Sequence, residues 1–168
     1  DTGEVETMAH LRAARFFCPE VTALLDIGGQ DMKYCRLKDG RIDHISLNGV
    51  CSSGCGSFLE SFADHLHMDI KEFARQAALA EKMPDLGRHC TVIMNSYVKK
   101  VQNRGVGLAG LAAALSVSVV KNALFSVIQL ESAEELGDHI VAEGGTFYND
   151  AVLRAFERLT GKEVIRPD

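Results

Sequence analysis

The sequence lacks an uninterrupted apolar run of the ~18–20 residues that a membrane helix needs; Lys121, Asn122 and Gln129 break the longest candidate. It also lacks basic excess. Eighteen lysines and arginines against 23 acids give a net charge of −5, the wrong sign for a general nucleic-acid binder. The opening residues, Asp1 to Glu6, do not follow the basic-then-apolar order of a secretory signal and read as a chain entered midway. Cysteine is sparse. Cys18, Cys35, Cys51, Cys55 and Cys90 form an odd set without the density of a secreted disulfide scaffold, which points to a reducing cytoplasm and leaves metal or redox chemistry as any special role. There is no internal repeat or low-complexity linker, and 168 residues suit one compact domain. Disordered and collagen-like classes are excluded by a composition 46% hydrophobic and 24% charged.

Met8, Leu11 and Ala14 predict a helix over 4–17, ended by Pro19. Val21 to Ile27, closed by Gly28-Gly29, reads as a strand buried on both faces and therefore central in its sheet. Asp39-Gly40 between two short alternating segments is a hairpin signal. A glycine-rich turn over 48–56 leads to a helix starting near Ser57, and a second helix is expected over about 70–82. His89 to Met94 is β-prone, with Asn95 or Ser96 placed to cap a short helix through Gln102. The small apolar residues of Leu108 to Leu130 predict one or two core helices. A strand over 139–142, a helix over 149–159 stopped by Gly161, and a short strand at Val164-Ile165 follow. This order specifies an α/β fold with a mixed sheet flanked by helices.

Three motifs carry chemistry. Asp26-Ile27-Gly28-Gly29-Gln30-Asp31 ends the central strand; two glycines let backbone amides approach an anion, Asp26 can hold a metal through water, and Gln30 can orient one. A plain tight turn is the competing reading. Gly144-Gly145-Thr146 with Asn149 opens a helix, where unobstructed amides suit a nucleotide's sugar or phosphate, although every helix entry needs a turn. Cys51-Ser52-Ser53-Gly54-Cys55 precedes a helix, whose dipole lowers a thiol's pKa, with Cys90 as a distant companion. Neither zinc-finger nor ferredoxin spacing is present. Cys18 and Cys35 read as buried small residues, and Cys55 stays open. His10 and His89 read as hydrogen-bonded structural residues, and Lys99, Lys100 and Arg104 as solvated surface.

Together these residues resemble the ATPase activators of 2-hydroxyacyl-CoA dehydratases and the ATPase subunits of benzoyl-CoA reductase. The resemblance runs through Glu6-Thr7-Met8-Ala9-His10, Asp26 to Asp31, Asn48 to Phe58 with Cys51, Cys90-Thr91-Val92, and Gly144 to Asn149. It implies an actin-like (ribonuclease H-like) ATPase lobe. It further implies ATP or ADP with magnesium at Asp26, Gly28, Gly29, Gln30, Asp31, Gly144, Gly145 and Asn149, with Asp26 and Gln30 catalytic. Cys51 and Cys90 would each supply one ligand to a 4Fe-4S cluster shared between the two protomers of a homodimer. The implied partners are a dehydratase or reductase component and an electron donor such as ferredoxin or flavodoxin, with no nucleic acid and no membrane. The family's first phosphate loop has no counterpart before Asp26, and its later glycine- and alanine-rich helix has none before Asp168. Residues 1–168 are therefore expected to form the second lobe, inactive in isolation. Many relatives carry threonine where Cys55 stands. Competing readings are a lobe of a small-molecule kinase, which needs no cysteines, and a noncatalytic partner-binding module.

Overall fold

The computed structural model describes residues 5–48 and 55–167. Among them, five strands form one sheet in the order β3-β2-β1-β4-β5. β1 (Ala23–Ile27) is buried along its whole length and central, as its unbroken apolar run requires. β2 (Met32–Lys38) and β3 (Arg41–Leu47) follow it antiparallel, joined through Asp39-Gly40, both with positive φ. β4 (Ile140–Glu143) returns parallel to β1 and puts Glu143 directly beside Asp26. β5 (Val164–Ile165) pairs parallel with β4 at the far edge.

Side-chain alternation divides the sheet into two differently covered faces. On one, Ala23, Leu25, Ile27, Met32, Tyr34, Ile140 and Ala142 join the main core. Over this face lie α2 (Gly56–His65), α3 (Ile70–Ala78), α4 (Thr91–Gln102), α5 (Leu108–Asn122) and α6 (Asp150–Thr160). On the other, Leu24, Cys35, Leu37 and Val141 meet Leu11 and Ala14 of α1 (Glu6–Phe17) in a smaller cluster with Cys18 and Val21. Asp26 shares a face with Leu24, so it points toward α1 rather than toward the main core.

The caps follow local chemistry. Asp69 accepts a hydrogen bond from Lys71 N (2.7 Å), Asn149 accepts one from Ala151 N (2.9 Å), and Gly161 closes α6 in the left-handed region. Three boundaries differ from expectation. α3 stops at Ala78, short of Lys82. His89 to Met94 forms no strand: helix starts at Thr91 with Cys90 at its N-cap, because Met94 and Val98 recur at helical spacing and are buried together. Leu108–Val127 is one continuous 20-residue helical stretch, its end in π geometry. By length and composition it could cross a bilayer, Lys121 and Asn122 notwithstanding, but 67% of its most apolar 18-residue window is buried inside the domain, as in a core helix.

Candidate functional site

The two glycine turns meet at the carboxyl ends of β1 and β4. Gly28 N donates to Asp31 O (3.0 Å), closing the first turn. Across 118 residues, Thr146 Oγ1 donates to Gly28 O (2.9 Å) and ties the second turn to the first. The N-terminus of α2 joins them: Gly56 N donates to Gly28 O (2.9 Å) and Ser57 N to Gly29 O (2.6 Å). Gly144 has φ +90°, and a Cβ there would stand 2.4 Å from Ile27 O, so glycine is required by both conformation and space.

A cavity of about 290 Å³ opens beside this junction, lined by Gly29, Gly56, Leu59, Glu60, Ile70, Lys71, Ala74, Gly145, Thr146, Tyr148 and Asn149. Asn149 is 8% exposed and uses its Oδ1 as the α6 cap. Its Nδ2 has no hydrogen-bond partner among the described residues, and neither has the enclosed Ser57 Oγ. An enclosed donor without an acceptor is costly in an empty cavity and useful in a filled one. Gly29, Gly145 and Asn149 are thus brought into one cavity, while Gln30 and Asp31 lie exposed on the adjoining turn.

On the α1 side of the same strand ends sits a cluster of charges. His10 Nδ1 lies 2.8 Å from Glu143 Oε2, and its Nε2 lies 3.5 Å from Asp26 Oδ2 and 3.7 Å from Glu6. Lys33, paired with Asp26 in the β1–β2 register, places Nζ 2.7 Å from Glu6, 3.4 Å from Asp31 and 3.9 Å from Asp26. Burial pushes the Asp26 carboxyl above its ordinary range, against the pull of His10 and Lys33. Burial alone would lower His10, but the Glu143 hydrogen bond and the Asp26 and Glu143 charges outweigh it and raise the imidazole. The hydrogen bond from Lys33 holds Glu6 low. His10 is hydrogen-bonded, as its sequence context suggests; Glu143, Lys33, Glu60 and Lys71 carry no local signal, because only helix packing and strand pairing bring them to these sites.

The cysteines separate by exposure. Cys18, Cys35 and Cys55 are buried, and Cys90 is exposed. Cys51 lies outside the described residues. Cys55, fully enclosed at the α2 N-cap, is approached by Asn48 Nδ2 at 2.9 Å, which accounts for it as a packed residue. Among the described residues no three histidines, cysteines or carboxylates are arranged to hold a metal ion. Among the described cysteines Cys90 is the exposed one, and it sits at the N-cap of α4. The segment leading to it is strapped to α5: Lys121 reaches Asp85 (2.8 Å), Ser118 Oγ donates to Gly87 O (3.0 Å) and Asn122 Nδ2 to His89 O (3.2 Å). Val92, Ile93 and Tyr97 stand exposed on the first turns beyond it.

Residues 1–167 match the model of the BadF/BadG/BcrA/BcrD ATPase family. The chain belongs to that family. It is 29% identical over 164 residues to the 2-hydroxyisocaproyl-CoA dehydratase activator of Clostridioides difficile, covering 97% of this chain and 60% of the relative. The crystal structure of component A of the Acidaminococcus fermentans (R)-2-hydroxyglutaryl-CoA dehydratase superposes with a TM-score of 0.82 at 29% identity, covering 94% of this chain and 60% of that one. The Clostridium difficile activator with bound ADPNP gives the same TM-score of 0.82 at 28% identity, over 95% of this chain and 58% of that one. The chain therefore has the actin-like fold of these ATPases and spans about 60% of their length.

Proposed function

We propose that residues 1–168 form the second lobe of an actin-like ATPase that binds ATP or ADP with magnesium and, in the intact protein, activates a 2-hydroxyacyl-CoA dehydratase or a related reductase by low-potential electron transfer. The observation that carries this reading is Asn149 Nδ2, left without an acceptor in a cavity framed by both glycine turns, in a chain of this family. Such a cavity suits a nucleoside, with the diphosphate running over the amides of Gly29 and Gly145 beside the turn that Gly28 closes. Asp26, a hard oxygen donor at the strand end, suits magnesium through water. Gln30 and Asp31 border the phosphate path.

The cluster assignment rests on Cys90 with its exposed apolar neighbours, and on Cys51. Two thiolates per chain fit a 4Fe-4S cluster shared across a homodimer axis, with Val92 and Ile93 available for the contact. The cluster would supply the electron passed from a ferredoxin or flavodoxin to the partner enzyme, in the cytoplasm. The α4 N-terminus behind Cys90 favours the negative charge of thiolates.

Isothermal calorimetry with MgADP tests the nucleotide site: saturable binding that Asn149→Ala weakens supports it, and absence of binding rejects it. Steady ATP hydrolysis by residues 1–168, lost on Asp26→Ala, would contradict the half-site reading, since phosphoryl transfer depends on a complete electrostatic shell. Anaerobic reconstitution tests the cluster. Iron and sulfide equivalent to about one cubane per two chains is expected, and full uptake by both Cys51→Ala and Cys90→Ala would reject the assignment.

A further inference from the structure

The charges around His10 bear on how Asp26 is aimed. Its two carboxylate oxygens face different groups. Oδ2 is turned to His10 Nε2 (3.5 Å) and Lys33 Nζ (3.9 Å). Oδ1 is turned to the second glycine turn, where a Cβ on Gly144 would come within 2.7 Å of it. His10 does not act on Asp26 alone. Its opposite nitrogen meets Glu143 at 2.8 Å, so one imidazole spans carboxylates on adjacent parallel strands. The ring is carried by α1, whose Leu11 and Ala14 are buried in the smaller core and fix the helix against the sheet.

We propose that His10 is a positioning residue for Asp26, bridging it to Glu143 so that Oδ2 is kept beside the imidazole and the Lys33 ammonium and Oδ1 is presented toward the Gly144 turn. This rests on the nucleotide reading for its consequence but not for its geometry. A carboxylate free to rotate would spread its oxygens over several directions; held at one oxygen by imidazole and ammonium, it offers the other in a single direction. A carboxylate that serves a metal is itself oriented by outer-shell polar partners, and losing such a partner costs roughly 10- to 100-fold in metal affinity. Every charged group facing the ring belongs to this arrangement: Glu6 on α1, Asp26 on β1, Lys33 on β2 and Glu143 on β4. Lys33 cannot replace the imidazole, because its ammonium is drawn mainly to Glu6 at 2.7 Å.

Two measurements on the 168-residue chain decide this. The first needs no nucleotide. In a crystal structure of His10→Ala the Asp26 carboxylate should rotate away from its present orientation, with the β1 and β4 backbones unmoved; an unchanged carboxylate overturns the proposal. His10→Gln, which retains one donor, should keep the carboxylate nearer its present orientation than His10→Ala does. The second is the magnesium dependence of ADP binding. His10→Ala should raise the magnesium concentration for half-maximal binding roughly 10-fold or more while leaving metal-free ADP affinity unchanged, and His10→Gln should recover part of it. Equal loss with and without magnesium would mark a merely structural role and overturn the proposal. If the wild-type chain binds no nucleotide, the nucleotide reading falls and the crystallographic result alone decides the role of His10.

Discussion

Gly144 and Asp26 stand so close that a methyl group on the glycine would lie 2.7 Å from the carboxylate oxygen of the aspartate and 2.4 Å from the carbonyl of Ile27. Gly144→Ala should therefore destabilise the domain by about 2–4 kcal/mol, combining a positive-φ penalty with a backbone clash. Gly145, beside it, has open space around its Cβ position. Gly145→Ala should change the urea midpoint little and weaken MgADP binding instead. Equal midpoints for the two variants would contradict this division.

Asp26→Asn should stabilise the nucleotide-free domain at neutral pH while weakening MgADP binding. Burial raises the Asp26 carboxyl, so between its ordinary value and its raised folded value the native state holds a proton that the unfolded chain has lost. Stability from this group is full below that window and falls as pH rises through it, which leaves a desolvated charge at neutral pH. Thermal melts of both proteins from acid to neutral pH check the sign. The difference should favour the asparagine variant increasingly as pH rises.

Tyr34 provides an alkaline test. Its hydroxyl is enclosed without a partner among the described residues, and burial pushes it up to about 12. The folded value lies above the unfolded one, so its contribution is full below pH ~10 and lost as pH rises toward the folded value. Tyr34→Phe should melt at or above the wild-type temperature at neutral pH. Against urea at pH near 12, the wild type should lose roughly 2 kcal/mol relative to that variant.

Thiol labelling should separate the cysteines. In the native state iodoacetamide should modify Cys90 rapidly and spare Cys18, Cys35 and Cys55 until the chain unfolds, because reaction needs an accessible thiolate. Asn122→Ala removes a hydrogen bond to the carbonyl just before Cys90. It should destabilise the domain by about 1–2 kcal/mol and broaden the amide signals of 87–90 in NMR spectra. Sharp, unshifted signals would show that the strap is held by other contacts.

Much of the architecture was legible in local pattern. The unbroken run before Gly28 named a central strand, Asp39-Gly40 a hairpin, Asn149 a helix start and Gly161 a stop, because each depends on the conformational preference of one or two residues. The glycine turns announced themselves for the same reason. What the residues near 89–94 would do was not legible, since their β-branched side chains fit a strand locally and only the shared burial of Met94 and Val98 makes them helical.

The chemistry of the strand ends belongs to the tertiary structure. Asp26 was identifiable from its place before two glycines, yet its company was not: Glu143 reaches it through the parallel pairing of β1 with β4, and His10 through the docking of α1 on one face of the sheet. The resemblance singled out Cys90 and left Cys55 open, but their exposure was not legible; packing buries Cys55 at the start of α2 and leaves Cys90 exposed at the start of α4. Local sequence sets the backbone a residue prefers; the burial, charge and neighbours that give a side chain its function arise from contacts between segments far apart in the chain, which only the packed fold brings within a few ångströms.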